Sequence, residues 1–375
     1  MLGRAGPALQ FVWIGVRSNI MSGMDIVIML ITVTLLLGFL VFIHEGGHYL
    51  AARACKVRVS EFMIGLPGPS IGFTRGETRF GITAVPLGGY ASICGMAPPS
   101  NSPHLKRVLG YAYRKGTVYL EDVAHDLFLT EQEAYDLLEE LCDWGSLKRP
   151  HRKDKHNVYR TPAKGGFEEG QPRIVADNEA FFESEKSQQY CTLPFWKRCT
   201  ILLAGPLMNL LWVFLVFIFI YSVMGLDLQN PQTGETFHYT WAPWEAVAMG
   251  FKYLGMVVSA IAGLFNPATA AQTVSQSTSV VGIAVMSKSA LDAGFVNFLF
   301  FTAVISASLG LMNMLPIPPL DGGRFVVEIF QKVSRKVVSL RALGYMSTAG
   351  IVLFTGFFLV MVNQDVQRFI FGNWS

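Results

Sequence analysis

The chain has 375 residues, of which 51% are hydrophobic and only 15% are charged. Soluble globular domains carry about 25% charged residues, so the composition excludes an ordinary soluble protein and indicates a membrane protein with some soluble mass. The net charge of +3 is too small to imply a polyanionic partner for the whole chain. The five cysteines are odd in number and form no Cys-x-x-Cys pair, so we expect reduced thiols rather than a disulfide framework.

Residues 1–23 precede the first apolar run and are assigned as an N-terminal extension. They match neither a signal peptide nor a transit peptide, because no compact apolar stretch is followed by a cleavage site. Met21 and Met24 stand directly before the run, which leaves the true start of the protein open.

Four apolar segments are long enough to cross a bilayer, which takes roughly 20 helical residues. They cover residues 25–46, 199–222, 295–315 and 343–362. A fifth apolar stretch, 244–265, contains Glu245 and Lys252 and follows Trp241. We predict that it is an amphipathic interfacial helix in the headgroup plane, with a membrane span as the alternative. The predicted fold class is a polytopic α-helical membrane protein with about four transmembrane helices.

The distribution of Lys and Arg predicts which loops face the cytosol. The segment 53–198 is rich in basic residues and ends in Lys197-Arg198, and the short loop 320–342 is also basic. The segment 223–294 holds only two basic residues. The positive-inside rule therefore places the first two segments in the cytosol, and both termini and 223–294 outside.

The most informative motif, His44-Glu45-Gly46-Gly47-His48, stands where the first apolar run ends. On a helix the two histidines lie on one face, four residues apart, where both imidazoles can bind one zinc ion. The adjacent glutamate is placed to act as general base on a water at the metal. Because polar groups are costly inside a membrane, the motif predicts a hydrolytic site rather than a polar end to a span.

A third protein ligand is needed, because catalytic zinc sites combine three such ligands with one position kept for water. Asp321 is the best candidate, since it lies just beyond the third span on the same predicted side as His44. The span ends with the sequence Asn313-Met314-Leu315-Pro316-Ile317-Pro318-Pro319-Leu320-Asp321-Gly322-Gly323. Its prolines cannot continue an α-helix, so we predict that the chain becomes extended there.

The soluble mass is predicted to lie in two regions. Residues 61–95 are expected to form β-structure, with strands over 70–74 and 78–85 on either side of a turn. Residues 97–190 are expected to form a cytosolic insertion with a winged-helix-like domain, in which Thr130 and Glu133 form a capping box. The three predicted helices cover 104–114, 120–128 and a segment that begins at Thr130. A basic hairpin is predicted over 148–160, and a polar linker over 163–192.

The two motifs together resemble those of the site-2 protease family of intramembrane zinc metalloproteases. His44 to His48 match the H-E-x-G-H form, and Asn313 to Gly323 match the N-x-x-P-x-P-x-L-D-G-G form. The resemblance covers the membrane core, and it extends to Pro86-Leu87-Gly88-Gly89-Tyr90, Ala204-Gly205-Pro206-Leu207-Met208-Asn209 and Trp244-Glu245-Ala246.

This resemblance implies a zinc metalloendopeptidase with one Zn²⁺ per chain. It implies that His44, His48 and Asp321 are the metal ligands and that Glu45 is the catalytic base. The residues that correspond to substrate-binding groups are Asn209, Asn313, Pro316, Pro318, Gly65 and Gly68. The region 62–90 resembles the family's membrane-associated β-hairpin, which could add an unwound substrate as an extended strand.

The chain departs from the bacterial members that cleave anti-sigma factors. Those proteins carry extracytoplasmic PDZ domains between their second and third spans, whereas residues 223–243 leave no room for one. The extra soluble mass is the insertion 97–190, to which we assign no family.

The basic hairpin 148–160 has three interpretations. It is a solvated turn that touches anionic headgroups, a regulatory wing that contacts a protein, or a DNA contact. The acidic residues of the third helix are poorly suited to phosphate contact, so nucleic acid is not an expected partner.

The predicted function is hydrolysis of peptide bonds within or near the transmembrane segments of single-span membrane proteins or remnant signal peptides. The alternatives are a catalytically silent membrane scaffold and a membrane-tethered regulator that uses the insertion. We expect a multi-pass protein of a bacterial inner membrane, with the insertion in the cytosol and a cytosolic protein as its candidate partner. The predicted domain boundaries are 1–23, 24–96, 97–190, 191–243, 244–294 and 295–375.

Overall fold

A computed structural model describes residues 22–371 of the chain, apart from 86–87, 98, 101, 152–153, 155–156 and 231–232. The predicted N-terminal extension therefore lies almost wholly outside the described residues. The α-helices are α1 (Gly23–Ala54), α2 (Leu105–Lys115), α3 (Leu120–Leu127), α4 (Glu131–Asp143), α5 (Asn178–Ser187), α6 (Phe195–Ile218), α7 (Pro243–Leu264), α8 (Ala270–Gln276), α9 (Val280–Asp292), α10 (Phe295–Asn313), α11 (Asp321–Ser334) and α12 (Leu340–Asp365). The strands are β1 (Val59–Ile64), β2 (Ser70–Arg75), β3 (Thr78–Thr83), β4 (Gly89–Ile93), β5 (Thr117–Tyr119), β6 (Val158–Arg160), β7 (Leu226–Gln229) and β8 (Thr236–Tyr239).

The chain divides into two compact units. The first unit comprises Met1–His44, Gly205–Arg324 and Met346–Ser375, and the second comprises Glu45–Ala204 and Phe325–Tyr345. The boundaries fall inside continuous helices, so α1, α6, α11 and α12 each contribute residues to both units.

The first unit is built from long apolar helices that pack through large side chains. Its main core joins α6, α7 and α10 around Val213, Phe217 and Ala303. A second cluster joins α1 to α10 through Leu36, Leu40 and Phe301. Many other large apolar side chains on α1 and α7 are exposed, which is expected where lipid takes the place of a protein partner.

Among the described residues, five helices are long and apolar enough to cross a membrane, where the sequence predicted about four. They are Gly23–Ala54, Phe195–Met224, Pro243–Leu264, Phe295–Asn313 and Arg341–Phe369. The additional helix is Pro243–Leu264, the stretch for which a span was the alternative to an interfacial helix. Length and composition qualify it for either position, so the interfacial placement stays a prediction.

The second unit holds a four-stranded sheet in the order β2-β3-β1-β4. The predicted hairpin is confirmed, since β2 and β3 pair antiparallel from Ser70↔Thr83 to Arg75↔Thr78. The sheet is larger than predicted because β1 pairs with β3 in parallel and with β4 in antiparallel orientation. Tyr49 of α1 packs its ring against Phe62 and Phe80, which fixes the end of α1 on this sheet.

The insertion forms a hydrophobic core of its own. Helices α2, α3 and α4 surround Val108, Val123 and Leu138, all of which are fully buried. The predicted capping box is confirmed, with Thr130 and Glu133 bonded reciprocally at the start of α4. Strand β5 pairs with β6, and a single bridge joins Lys148 to Arg160.

The region 163–192 is not the plain linker that its polarity predicted. It contains α5, which begins at the N-cap Asp177 and packs Phe181 and Phe182 on the insertion core. Glu185 of α5 forms a bidentate ion pair with Arg58, at 2.7 and 2.9 Å, and both side chains are buried. The segment therefore has its own contacts on both sides, with the insertion core and with Arg58, the residue directly before β1.

Three further segments contain structure that the sequence analysis missed. The predicted outer loop contains the hairpin β7–β8, and the predicted loop after α7 contains α8 and α9. The predicted basic loop 320–342 begins with helix α11. The strands have 4 residues each and α8 has 7, so they are shorter than the window of roughly 11–18 residues over which apolar periodicity can be recognised.

Candidate metal centre

Helix α1 runs without interruption through the His-Glu-x-x-His motif. His44 and His48 are therefore one helical turn apart on one face, and the two residues are 6% and 7% exposed. A buried imidazole needs polar partners for both ring nitrogens, so the burial of two histidines here requires a set of polar groups around them.

Asp321 reaches His44 because the chain folds back sharply after α10. The Nε2 atom of His44 lies 3.1 Å from the Oδ2 atom of Asp321. The two glycines after the aspartate permit this turn: a Cβ at Gly322 would lie 2.2 Å from the carbonyl oxygen of Met314, and one at Gly323 would lie 2.4 Å from the nitrogen of Pro318. Asp321 begins α11, where its negative charge also favours the helix N-terminus.

The ligand atoms of His44, His48 and Asp321 all lie within 4.8 Å of one another. Zinc binds imidazole nitrogen and carboxylate oxygen at about 2.0–2.2 Å, so two of its ligand atoms lie no more than about 4.4 Å apart. The 3.1 Å separation of His44 and Asp321 already satisfies this limit. The donor set of two imidazoles and one carboxylate is that of catalytic zinc sites, and it fits zinc.

Helix α6 supplies the groups that contact the far sides of both imidazoles. The Nδ1 atom of His48 lies 2.8 Å from the carbonyl oxygen of Ile201, and the Nδ1 atom of His44 lies 3.2 Å from Nδ2 of Asn209. Asn209 is fully buried, and its Oδ1 atom has no hydrogen-bond partner. An unpartnered buried oxygen beside an imidazole indicates a site that is not complete without a further proton or ligand.

Glu45 stands next to His44 in the chain, and its carboxylate contacts the sheet. Its Oε2 atom accepts a hydrogen bond of 2.9 Å from the backbone N–H of Ala91 on β4. A carboxylate held by one backbone amide keeps lone pairs for another donor. The geometry therefore allows Glu45 to accept a proton without serving as a metal ligand.

The remaining residues expected to contact substrate lie at three places. Asn313 ends α10, and Pro316 and Pro318 follow it in the segment that leads to Asp321. Gly65 lies just after β1 at a φ of 107°, and its N–H donates to Gly88. Gly68 is exposed in the loop before β2. Substrate contact by these residues stays a prediction.

The sequence analysis missed two features of the site. The contact between Ile201 and His48 has no signal in the sequence, because it is made by a backbone carbonyl that every residue type has. The contact of Asn209 with His44 had a partial signal, since an asparagine inside an apolar span must find a polar partner.

Comparison with known proteins shows an extended match. The model of peptidase family M50 matches residues 32–357. The regulator of sigma-W protease RasP of Bacillus subtilis is 23% identical, over 89% of this chain and 97% of that protein. The zinc metalloproteases RasP of Geobacillus kaustophilus and Oceanobacillus iheyensis are 23% and 24% identical, over 91% and 89% of this chain and 98% and 97% of those proteins.

Proposed function

The chain belongs to peptidase family M50, the site-2 protease family of zinc metalloproteases, and we propose that it cleaves peptide bonds in or near the transmembrane segments of other membrane proteins. The observation that carries this proposal is the grouping of His44, His48 and Asp321 at the end of an apolar helix. We further propose that these three residues are the metal ligands and that Glu45 is the catalytic base.

Each of these residues has a separate task. His44, His48 and Asp321 would hold Zn²⁺, which when bound would polarise the scissile carbonyl and lower the pKa of an attacking water. Glu45 takes the proton from that water and passes it to the leaving amine nitrogen. The N–H of Ala91, in the middle of strand β4, holds the Glu45 carboxylate in place.

The substrates we propose are single-span membrane proteins or remnant signal peptides. A helical peptide bond is poorly accessible because its amide is already hydrogen-bonded, so the substrate must unwind before cleavage. The sheet offers β2 and β4 as edge strands for pairing with an unwound segment. Ile71 and Phe73 on β2 are exposed, which supports contact of this hairpin with lipid.

The basic segments 53–198 and 320–342 support a position of the metal site near the cytosolic side of the membrane. The protein would then be a multi-pass protein of a bacterial inner membrane with the insertion in the cytosol. The order of helix, strand, two helices and a hairpin supports a winged-helix fold for the insertion. We propose that it contacts a cytosolic protein rather than DNA, because α4 carries many acidic residues.

The test uses purified full-length protein in liposomes with a single-span reporter substrate. The proposal expects a cut within or next to the reporter's transmembrane segment, located by mass spectrometry, that a zinc chelator abolishes and added zinc restores. Cleavage only in long soluble loops would contradict the intramembrane assignment.

A further inference from the structure

We propose that α6 fixes the orientation of both histidines through contacts with their Nδ1 atoms. We also propose that Asn209 is a positioning residue for His44 rather than a substrate contact. This inference rests on the proposed role of the two histidines as metal ligands. It concerns which ring nitrogen of each imidazole would bind the metal.

The orientation of His48 follows directly from its partner. A carbonyl oxygen can only accept a hydrogen bond, so the 2.8 Å contact with Ile201 requires a proton on Nδ1 of His48. The neutral ring then has its lone pair on Nε2. The backbone of α6 thus selects Nε2 of His48 as the ligand atom before any metal binds.

Asn209 can do the same for His44. Its amide contacts Nδ1 of His44 at 3.2 Å, on the opposite side of the ring from the Nε2 atom that faces Asp321. When Nε2 binds a metal, Nδ1 must carry the proton, and that proton needs an acceptor. The Oδ1 atom of Asn209 is buried and has no other partner. Rotation of the planar amide by 180° exchanges its oxygen and nitrogen at nearly constant shape.

Asn209 is well suited to this role because it lies inside helix α6, where α10 packs closely against it. Its carbonyl oxygen accepts a 2.9 Å hydrogen bond from Oγ of Ser306 on α10. A Cβ at Gly310 would lie 3.2 Å from the Cβ of Asn209, which shows how closely the two helices approach. The side chain is 0% exposed, so no surface of it is available to a substrate in this conformation.

The test is a measurement of zinc affinity by chelator competition on the full-length protein in detergent. Asn209→Leu removes the amide at similar volume, and Asn209→Asp keeps an acceptor but removes the donor. Ser306→Ala is the matched control, because it removes a hydrogen bond to the backbone of Asn209 and leaves its side chain unchanged. Outer-layer partners of metal-bound histidines typically change metal affinity about 10–100-fold.

We expect zinc to bind about 10–100-fold more weakly to Asn209→Leu, and to bind Asn209→Asp and Ser306→Ala within about threefold of wild type. Wild-type affinity in Asn209→Leu would overturn the proposal. Equal weakening in Asn209→Leu and Asn209→Asp would also overturn it, because the acceptor would then be irrelevant. If Asn209→Leu does not fold, Asn209→Ala replaces it with the same two outcomes.

The measurement does not depend on proteolysis. If wild-type protein binds zinc but cleaves no membrane substrate, the proposed function fails while the role of Asn209 is still tested. If wild-type protein cleaves its substrate and Asn209→Leu binds zinc normally, the role of Asn209 fails alone.

Discussion

His44 Nε2 and Asp321 Oδ2 lie 3.1 Å apart although 277 residues separate them along the chain. One residue stands on the first apolar helix, and the other follows the proline-rich break after α10. A carboxylate beside a span is costly unless it is paired, and this contact gives Asp321 a partner while it brings a third donor group to the two histidines. The pair therefore gives the most direct reason to treat this point as the metal centre.

Asp321→Asn should weaken zinc binding at least about tenfold, because a neutral amide is a poorer zinc ligand than a carboxylate. Metal content after gel filtration in zinc-free buffer measures the change. Asp292→Asn, which alters an exposed acid on α9, is the control. Full zinc occupancy in Asp321→Asn would remove Asp321 from the ligand set.

Gly322→Ala should disrupt the turn that carries Asp321. The added Cβ would lie 2.2 Å from the carbonyl oxygen of Met314, so the backbone must move. We expect a loss of stability of about 1–3 kcal/mol and a reduced zinc content. Gly356→Ala on α12 is the matched control, because its Cβ would meet nothing within 4 Å. Equal zinc content in the two variants would contradict this explanation of the glycine.

Glu185→Ala should loosen the insertion from the sheet. The substitution leaves the buried guanidinium of Arg58 without its bidentate partner, and such a loss costs about 3–5 kcal/mol. Denaturant unfolding in detergent measures the change in stability. Glu183→Ala, on the exposed face of the same helix, should change it by less than about 1 kcal/mol. Similar values for both variants would show that the ion pair does not hold the insertion in place.

The same ion pair predicts a dependence on pH. Burial raises the pKa of Glu185, but the hydrogen bonds and charge of Arg58 outweigh it, so the pKa lies below the ordinary value of 4.5. A lowered pKa stabilises the folded state fully above the unfolded pKa, and the contribution is lost as pH falls through the folded pKa. The stability difference between wild type and Glu185→Ala should therefore be constant from pH 7 to about 5 and shrink below about pH 4. A difference that grows in acid would contradict this assignment.

The sequence indicated those parts of the proposed site that depend on side-chain chemistry at a fixed spacing. His44 and His48 stand four residues apart on one helix, and the aspartate beside a broken span is the third ligand that we propose. The helix α11 was missed because Pro316, Pro318 and Pro319 indicate where a helix ends but not where the next begins. The apolar residues of α11 do have helical spacing, at Val326, Ile329, Phe330 and Val333. The segment is short and lies between basic residues, so this spacing was not recognised.

Other parts of the fold were beyond sequence reasoning because they depend on long-range pairing. Strand β1 is stabilised on both sides by β3 and β4, which no local pattern indicates. Helix α5 is short and polar, and its burial of Glu185 depends on Arg58, which lies 127 residues away. The acceptor for His48 is a backbone carbonyl, and any residue at position 201 could have supplied it.

A comparison of wild type with Glu45→Gln provides the decisive measurement: zinc content and reporter cleavage, side by side in liposomes. The glutamine keeps the shape of the side chain and the contact with Ala91 but cannot take a proton. We expect equal zinc in both proteins and cleavage by the wild type alone. Cleavage by Glu45→Gln at the wild-type rate, or zinc in neither protein, would contradict the assignment of this site as a zinc protease centre.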